Sequence, residues 1–210
     1  MRILFFDTET NGLPRQKNST VATDWPPVVQ LAWQVWDAAA DPPVCISNIS
    51  HIVKPDPSLV WDLGSQVFHT ISKERALSEG AEPDKVFAAF RTALESSTVV
   101  VAHNLAFDKP VLSMEFKRRG YPPLSWSAQE CCTMMASREF CRLPSMYSRP
   151  SDPYKYPKLS ELHAILFGNN SGIVFHDAAA DVDCTVRCFF RLVELAVIPL
   201  DALRVAGAPL

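Results

Sequence analysis

Apolar residues come in short dense runs early in the chain and at helical spacing later, so the pattern predicts strands first and helices after them. Ile3 to Asp7 reads as a strand closed by a Gly12-Leu13-Pro14 turn, and Val28 to Trp36, rich in β-branched and aromatic residues, as a second. A third runs from about Val44 to Val53, after Asp41-Pro42-Pro43, which makes an antiparallel meander the natural arrangement. Helices are predicted over 58–68 and 72–79, with Ser72 as a cap, and over 84–94, where Val86, Phe87, Phe90 and Leu94 form one face. Val99 to Ala102 is wholly apolar, as expected of a central strand buried on both faces. A helix from Leu105 to Gly120 ends in Lys117-Arg118-Arg119, cations that suit a helix C-terminus. Thr133 to Ala136 is expected as a short edge strand, and helices resume over 159–167 and 177–198 with Asp177 as N-cap.

Strands followed by helices around a buried strand predict a mixed α/β domain of three layers. The 210 residues suit one domain, taken as residues 1–200 with a loop insertion at 143–158 and a short C-terminal tail at 201–210. That insertion carries four prolines and interleaves Tyr147, Tyr154 and Tyr156 with Arg149, Lys155 and Lys158. It reads equally as a grip for single-stranded nucleic acid and as a plain surface loop.

Composition narrows the function classes. A hydrophobic fraction of 48% with 20% charged residues is that of an ordinary globular protein. The net charge of −3 excludes an obligate duplex-coating protein but not an enzyme that grips a few phosphates. No run approaches the ~18 apolar residues of a membrane span, and the first strand is too short for a signal segment. The six cysteines contain no C-x-x-C pair; Cys131, Cys132 and Cys141 are poorly spaced for zinc, and Cys184 with Cys188 reads as a pair of buried thiols. A reducing, cytoplasmic setting follows as the expectation.

The chemistry is carried by four carboxylates and a histidine. They fall in Phe5-Phe6-Asp7-Thr8-Glu9-Thr10-Asn11-Gly12-Leu13, in His103-Asn104-Leu105-Ala106-Phe107-Asp108, and in His176-Asp177-Ala178-Ala179-Ala180-Asp181. Asp7 and Glu9 are two apart at a strand end and project to one face. Asp108 and Asp181 each fall in the first turn of a predicted helix. Acids beside apolar elements need positive charge to balance them, and hard oxygen ligands point to Mg²⁺ or Mn²⁺. Two such ions in one site, with His176 as general base, make a phosphodiesterase centre. His103 reads as a core histidine, Asp177 as a cap and Asp183 as a solvated residue.

Together and in this order, the three motifs resemble those of the DEDDh (DnaQ-like) 3′→5′ exonucleases, and the likeness spans residues 5 to 181. The resemblance implies a ribonuclease H-like fold with a central mixed sheet flanked by helices. It also implies metal-dependent release of nucleoside 5′-monophosphates from the 3′ end of nucleic acid. On this chain Asp7, Glu9, Asp108 and Asp181 become the metal acids, Asp108 largely through water, and His176 the base. Thr8 by its backbone and Thr10 would contact the terminal nucleotide. Leu13 would wedge beside its base, His69 would line the pocket, and Asn104 and Phe107 would shape its floor. Single-stranded DNA is the favoured substrate; RNA trimming and a binding module without catalysis are the rivals, the latter disfavoured by the intact acids. A homodimer, or an accessory subunit of a larger assembly, is compatible with the family.

Overall fold

A computed structural model describes residues 1–16, 18–149, 152–170 and 172–205, without the side chains of 147–149, 152, 204 and 205. Strand β1 (Arg2–Thr10) pairs antiparallel with β2 (Val28–Asp37), which pairs antiparallel with β3 (Val44–Ile52). On its other side β1 lies parallel to β4 (Val99–Ala102), and β4 parallel to β5 (Gln129–Cys132). Among the described residues these five strands form one sheet in the order β3-β2-β1-β4-β5. The expected mixed sheet is thus present, with the first strand of the chain at its centre.

Alternation along β1 divides the core. Leu4 and Phe6 face one side, where they pack with α3 (Pro83–Glu95) and α4 (Leu105–Arg118). Ile3 and Phe5 face the other, against α7 (Leu159–Phe167) and α8 (Ala178–Glu194). Phe6 meets Phe90 edge-on at 5.5 Å, and Phe5 meets Phe189 at 5.1 Å. This is the three-layer ribonuclease H-like architecture, and it explains why β1 and β4 are apolar without alternation. Two short helices, α1 (Leu63–His69) and α2 (Lys73–Glu79), precede α3, and Ser72 caps α2 as expected. The basic end of α4 is structural: Arg118 and Arg119 both pair with buried Glu115, and Lys117 donates to the Thr20 carbonyl.

Several expectations need correction. Thr133 to Ala136 is not a strand but the short helix α5; the edge strand is the preceding Gln129–Cys132, which matches β4 residue for residue. Methionine and alanine beyond Thr133 favour helix once that pairing is complete. A second short helix, α6 (Arg138–Cys141), follows. The 143–158 segment contains a hairpin, β6 (Pro144–Arg149) with β7 (Asp152–Tyr154), rather than loop throughout. Pro150 and Ser151, and the side chains of Tyr147 and Arg149, lie outside the described residues. The helix expected over 177–198 stops at Glu194, because Ala196 takes a left-handed φ of 56° and the Val197 N–H bonds back to the Leu192 carbonyl. After it α9 (Leu200–Val205) buries Leu203 in the α8-side core; residues 206–210 of the expected tail lie outside the described set. Finally α1 begins at Leu63 rather than Ser58, where the Asp62 carboxylate accepts from the Ser65 N–H at 2.7 Å.

Candidate active site

The C-terminal end of β1 presents Asp7 and Glu9 to the face on which α8 packs, opposite Ala32 and Gln30 of β2. Thr8, between them, points the other way and holds Asp108. Its N–H and hydroxyl both donate to Asp108 Oδ1, at 3.2 and 2.7 Å. Asp108 is buried in the first turn of α4, so β1 and α4 are locked together through the residue that separates the two strand acids.

Asp181 enters from the opposite layer. It is buried in the first turn of α8, with Asp177 capping that helix through bonds to the Ala179 and Ala180 N–H groups, both 3.1 Å. Asp181 Oδ2 accepts from the His176 backbone N–H at 3.0 Å. The five-residue spacing is therefore a structural closure: the helix acid reaches back and fixes the residue before the cap. His176 takes a left-handed φ of 66°, leaving its ring exposed with an edge-on Phe68 at 5.5 Å. Among the described residues, ligand atoms of Glu9, His176 and Asp181 all lie within 4.8 Å of one another.

Electrostatics show what this cluster lacks. Burial, then Asp108, Asp181, Glu9 and Asp177, hold the Asp7 carboxyl well above the usual range. Burial, then Asp181, Asp108 and Asp177, push Glu9 up to about 8. Asp108 rises to about 7 through burial, with Asp181 adding and the two Thr8 donors opposing. Asp181 rises to about 6 through burial, with Asp177 adding and the His176 N–H opposing. No basic side chain is among the leading contributions to these four balances. Asp181 Oδ1 is also buried with no hydrogen-bond partner. A converging set of hard oxygens, one orphaned and all resisting ionisation, fits a divalent cation.

Beside the acids a cavity of about 600 Å³ opens, lined by Thr8, Glu9, Thr10, Leu13, His69, Phe107 and His176, with Gly12, Asp62, Gly64, Ser65 and Phe68 completing its wall. Five of the six residues expected to bind substrate line it. Asn104 does not; it is the left-handed residue (φ 76°) that turns the chain into α4. The Thr10 hydroxyl donates to the Gly12 carbonyl at 2.8 Å, bracing the turn that carries Leu13, itself 80% exposed. His69 is buried. Its Nδ1 accepts from the Ile71 N–H at 3.1 Å, which places the proton of the neutral ring on Nε2, and that nitrogen has no partner. Burial lowers the His69 pKa, so the neutral form prevails and offers a buried donor at the cavity wall. His103, by contrast, is satisfied on both nitrogens, by Thr133 Oγ1 and the Pro157 carbonyl, and burial lowers it to about 4. It is a half-buried residue satisfied by its neighbours, in keeping with the structural role expected of it.

Sequence reasoning missed Asp62, Ser65 and Phe68, whose signal was the Asp-x-x-Ser cap opening α1. It also missed Asn11, which lies inside the first motif. The Asn11 amide donates to the Val60 carbonyl at 2.9 Å and accepts from the Asp62 N–H at 2.7 Å, tying the end of β1 to the wall of the cavity.

The model of the Exonuclease family, RNase_T, matches residues 4–189, a span that holds all three motifs. The chain belongs to this Exonuclease family. It is a nuclease domain of the DEDDh type, and the matched span contains Asp7, Glu9, Asp108, His176 and Asp181. No curated protein matches the sequence significantly. Among solved structures, the nuclease domain is similar to Escherichia coli exonuclease I in complex with a dT13 oligonucleotide, with a TM-score of 0.71 at 20% identity, over 92% of this chain and 41% of that one. The zinc-bound form of the E. coli exonuclease I–single-stranded DNA complex gives 0.72 at 19%, over 96% and 42%. A moderately thermophilic exonuclease I from Methylocaldum szegediense gives 0.70 at 18%, over 92% and 40%. At these identities the likeness bears on the fold, and the chain spans about two fifths of the length of each. Among the described residues no helix is long and apolar enough to cross a membrane.

Proposed function

We propose that this chain is a metal-dependent 3′→5′ exonuclease that hydrolyses the terminal phosphodiester bonds of single-stranded DNA and releases nucleoside 5′-monophosphates. The observation that carries the reading is the joining of the acid cluster to a single cavity through Glu9 and His176. Its volume lies in the range of small-molecule sites, which suits one terminal nucleotide rather than a continuous duplex.

Asp7, Glu9, Asp108 and Asp181 would hold two Mg²⁺ or Mn²⁺ ions, which when bound supply activation of water and stabilisation of the leaving 3′-oxygen. The remaining work belongs to the chain. His176, exposed on its turn, takes the proton from the attacking water. Leu13 and Phe107 offer apolar surface to the terminal base and sugar, and His69 Nε2–H offers a donor to the same nucleotide. Thr8 keeps Asp108 in place by engaging one of its oxygens. Single-stranded DNA is favoured because two of the structural neighbours are complexes with a dT13 oligonucleotide and with single-stranded DNA. The test is cleavage of 5′-labelled single-stranded DNA, duplex DNA and RNA with Mg²⁺ or Mn²⁺. A ladder shortening from the 3′ end on single-stranded DNA is expected. Immediate release of labelled mononucleotide, one internal cut, or no cleavage would overturn the reading, and a ladder on RNA alone would move the substrate to RNA.

A further inference from the structure

Strand β2 is buried for most of its length, yet it carries Gln30 and Gln34, 5% and 3% exposed. Their cross-strand partners are Glu9 and Phe5, so both glutamines point to the α8 face. Gln30 Nε2 donates to Asp177 Oδ2 at 3.0 Å and to Ser50 Oγ at 3.3 Å, while its Oε1 accepts from the Ala178 N–H at 3.1 Å. Both ends of one carboxamide therefore grip the first turn of α8. Further along the same helix, Gln34 Nε2 donates to Asp183. Ala32, between the two glutamines and opposite Asp7, keeps bulk out of the gap.

What the grip holds is the root of the candidate site. The Asp177 carbonyl accepts the first helical bond, from the Asp181 N–H at 2.8 Å, and Asp181 in turn holds the His176 N–H. We infer that Gln30 is a positioning residue, whose carboxamide sets the place of Asp177 on β2 and so aligns Asp181 and His176 against Asp7 and Glu9. The inference rests on the exonuclease reading for its kinetic meaning. The physical warrant is that misplacing a reacting group by about 1 Å can cost about 10²-fold in rate.

The pairing has a polarity that can be reversed. Gln30→Glu removes the donor to Asp177 and sets two carboxylates against each other. Asp177→Asn removes the acceptor and leaves amide facing amide. When the two substitutions are combined, the new carboxylate on β2 accepts from both the Ala178 N–H and the new amide of the cap. The oxygen of that amide still caps the helix. Each single variant should lose about 10–100-fold in kcat and in Mn²⁺ affinity, the scale for residues behind metal ligands. KM for an oligonucleotide should stay within about threefold, and the double variant should recover most of both losses, the coupling expected of contacting residues. Mn²⁺ affinity would be read by electron paramagnetic resonance on metal-stripped protein, with melting temperature alongside. Lower melting temperatures with unchanged kcat and Mn²⁺ affinity would overturn the inference and leave Gln30 a structural anchor. A double variant no better than the singles would overturn it as well. Should the wild-type protein bind Mn²⁺ but cleave nothing, the exonuclease reading fails, while the Mn²⁺ affinities of the three variants still decide the positioning role.

Discussion

At the scale of single residues, the candidate site is a set of carboxyls that resist ionisation until something positive arrives. A carboxyl held above its unfolded pKa keeps a proton in the native state that the unfolded chain has already released. Stability must then fall as pH rises between the ordinary carboxylate range near 4 and the native values of about 6, 7 and 8 for Asp181, Asp108 and Glu9. In the presence of a chelator, the melting temperature should therefore drop by several degrees from pH 5 to pH 8. Mg²⁺ or Mn²⁺ should restore it, and restore more at pH 8 than at pH 5, because the ion replaces protons that are absent at the higher pH. A flat profile without metal would refute the account. The acids themselves were legible in the sequence because each sits in a short motif whose meaning is local. Gln30 was not: it is one polar residue in an apolar strand, and its partner lies 147 residues away.

At the scale of elements, the cavity depends on how α1 is docked against the end of β1. Asn11 makes that joint through two hydrogen bonds at an exposed edge. Asn11→Ala should lower stability by only about 1 kcal/mol, the net contribution of such bonds. Its larger effect should be on substrate, because His69 and Phe68 ride on α1. KM for an oligonucleotide is expected to rise about tenfold, equivalent to about 1.4 kcal/mol, with kcat changed far less. An unchanged KM would show that α1 holds its place without the joint. Element boundaries were legible at the Ser72 and Asp177 caps but not at the Asp62 cap, where Ser58 four residues earlier competes as a helix start. They were misread where backbone geometry alone ends the helix, as at Ala196, since no glycine marks that turn. The hairpin of β6 and β7 was hidden for a similar reason: its prolines argue for loop, and its pairing is irregular between Pro144 and Arg149.

For the whole molecule, the sequence established that a buried strand would stand among helices but not that β4 would lie parallel beside β1, since strand order is a property of long-range pairing. The charge of the chain also acts at this scale. With a net charge of −3 and arginines of α4 occupied by Glu115, binding of a single strand should involve few phosphates. For two or three contacts, raising salt from about 50 to about 200 mM should weaken oligonucleotide affinity by roughly tenfold, against losses of about 10³ or more for broad basic interfaces. A much steeper dependence would point to a wide basic track. The bond from Gln30 to Asp177 has a last consequence, in time rather than space. At translation rates of about 5–20 residues per second, about 7–30 s separate the emergence of the two partners. For that interval the nascent chain holds Asp7 and Glu9 without Asp181, and the α8-side face of β1 lies uncovered by that helix. The candidate site is thus completed only once α8 has emerged, and until then the α8-side core is open to aggregation.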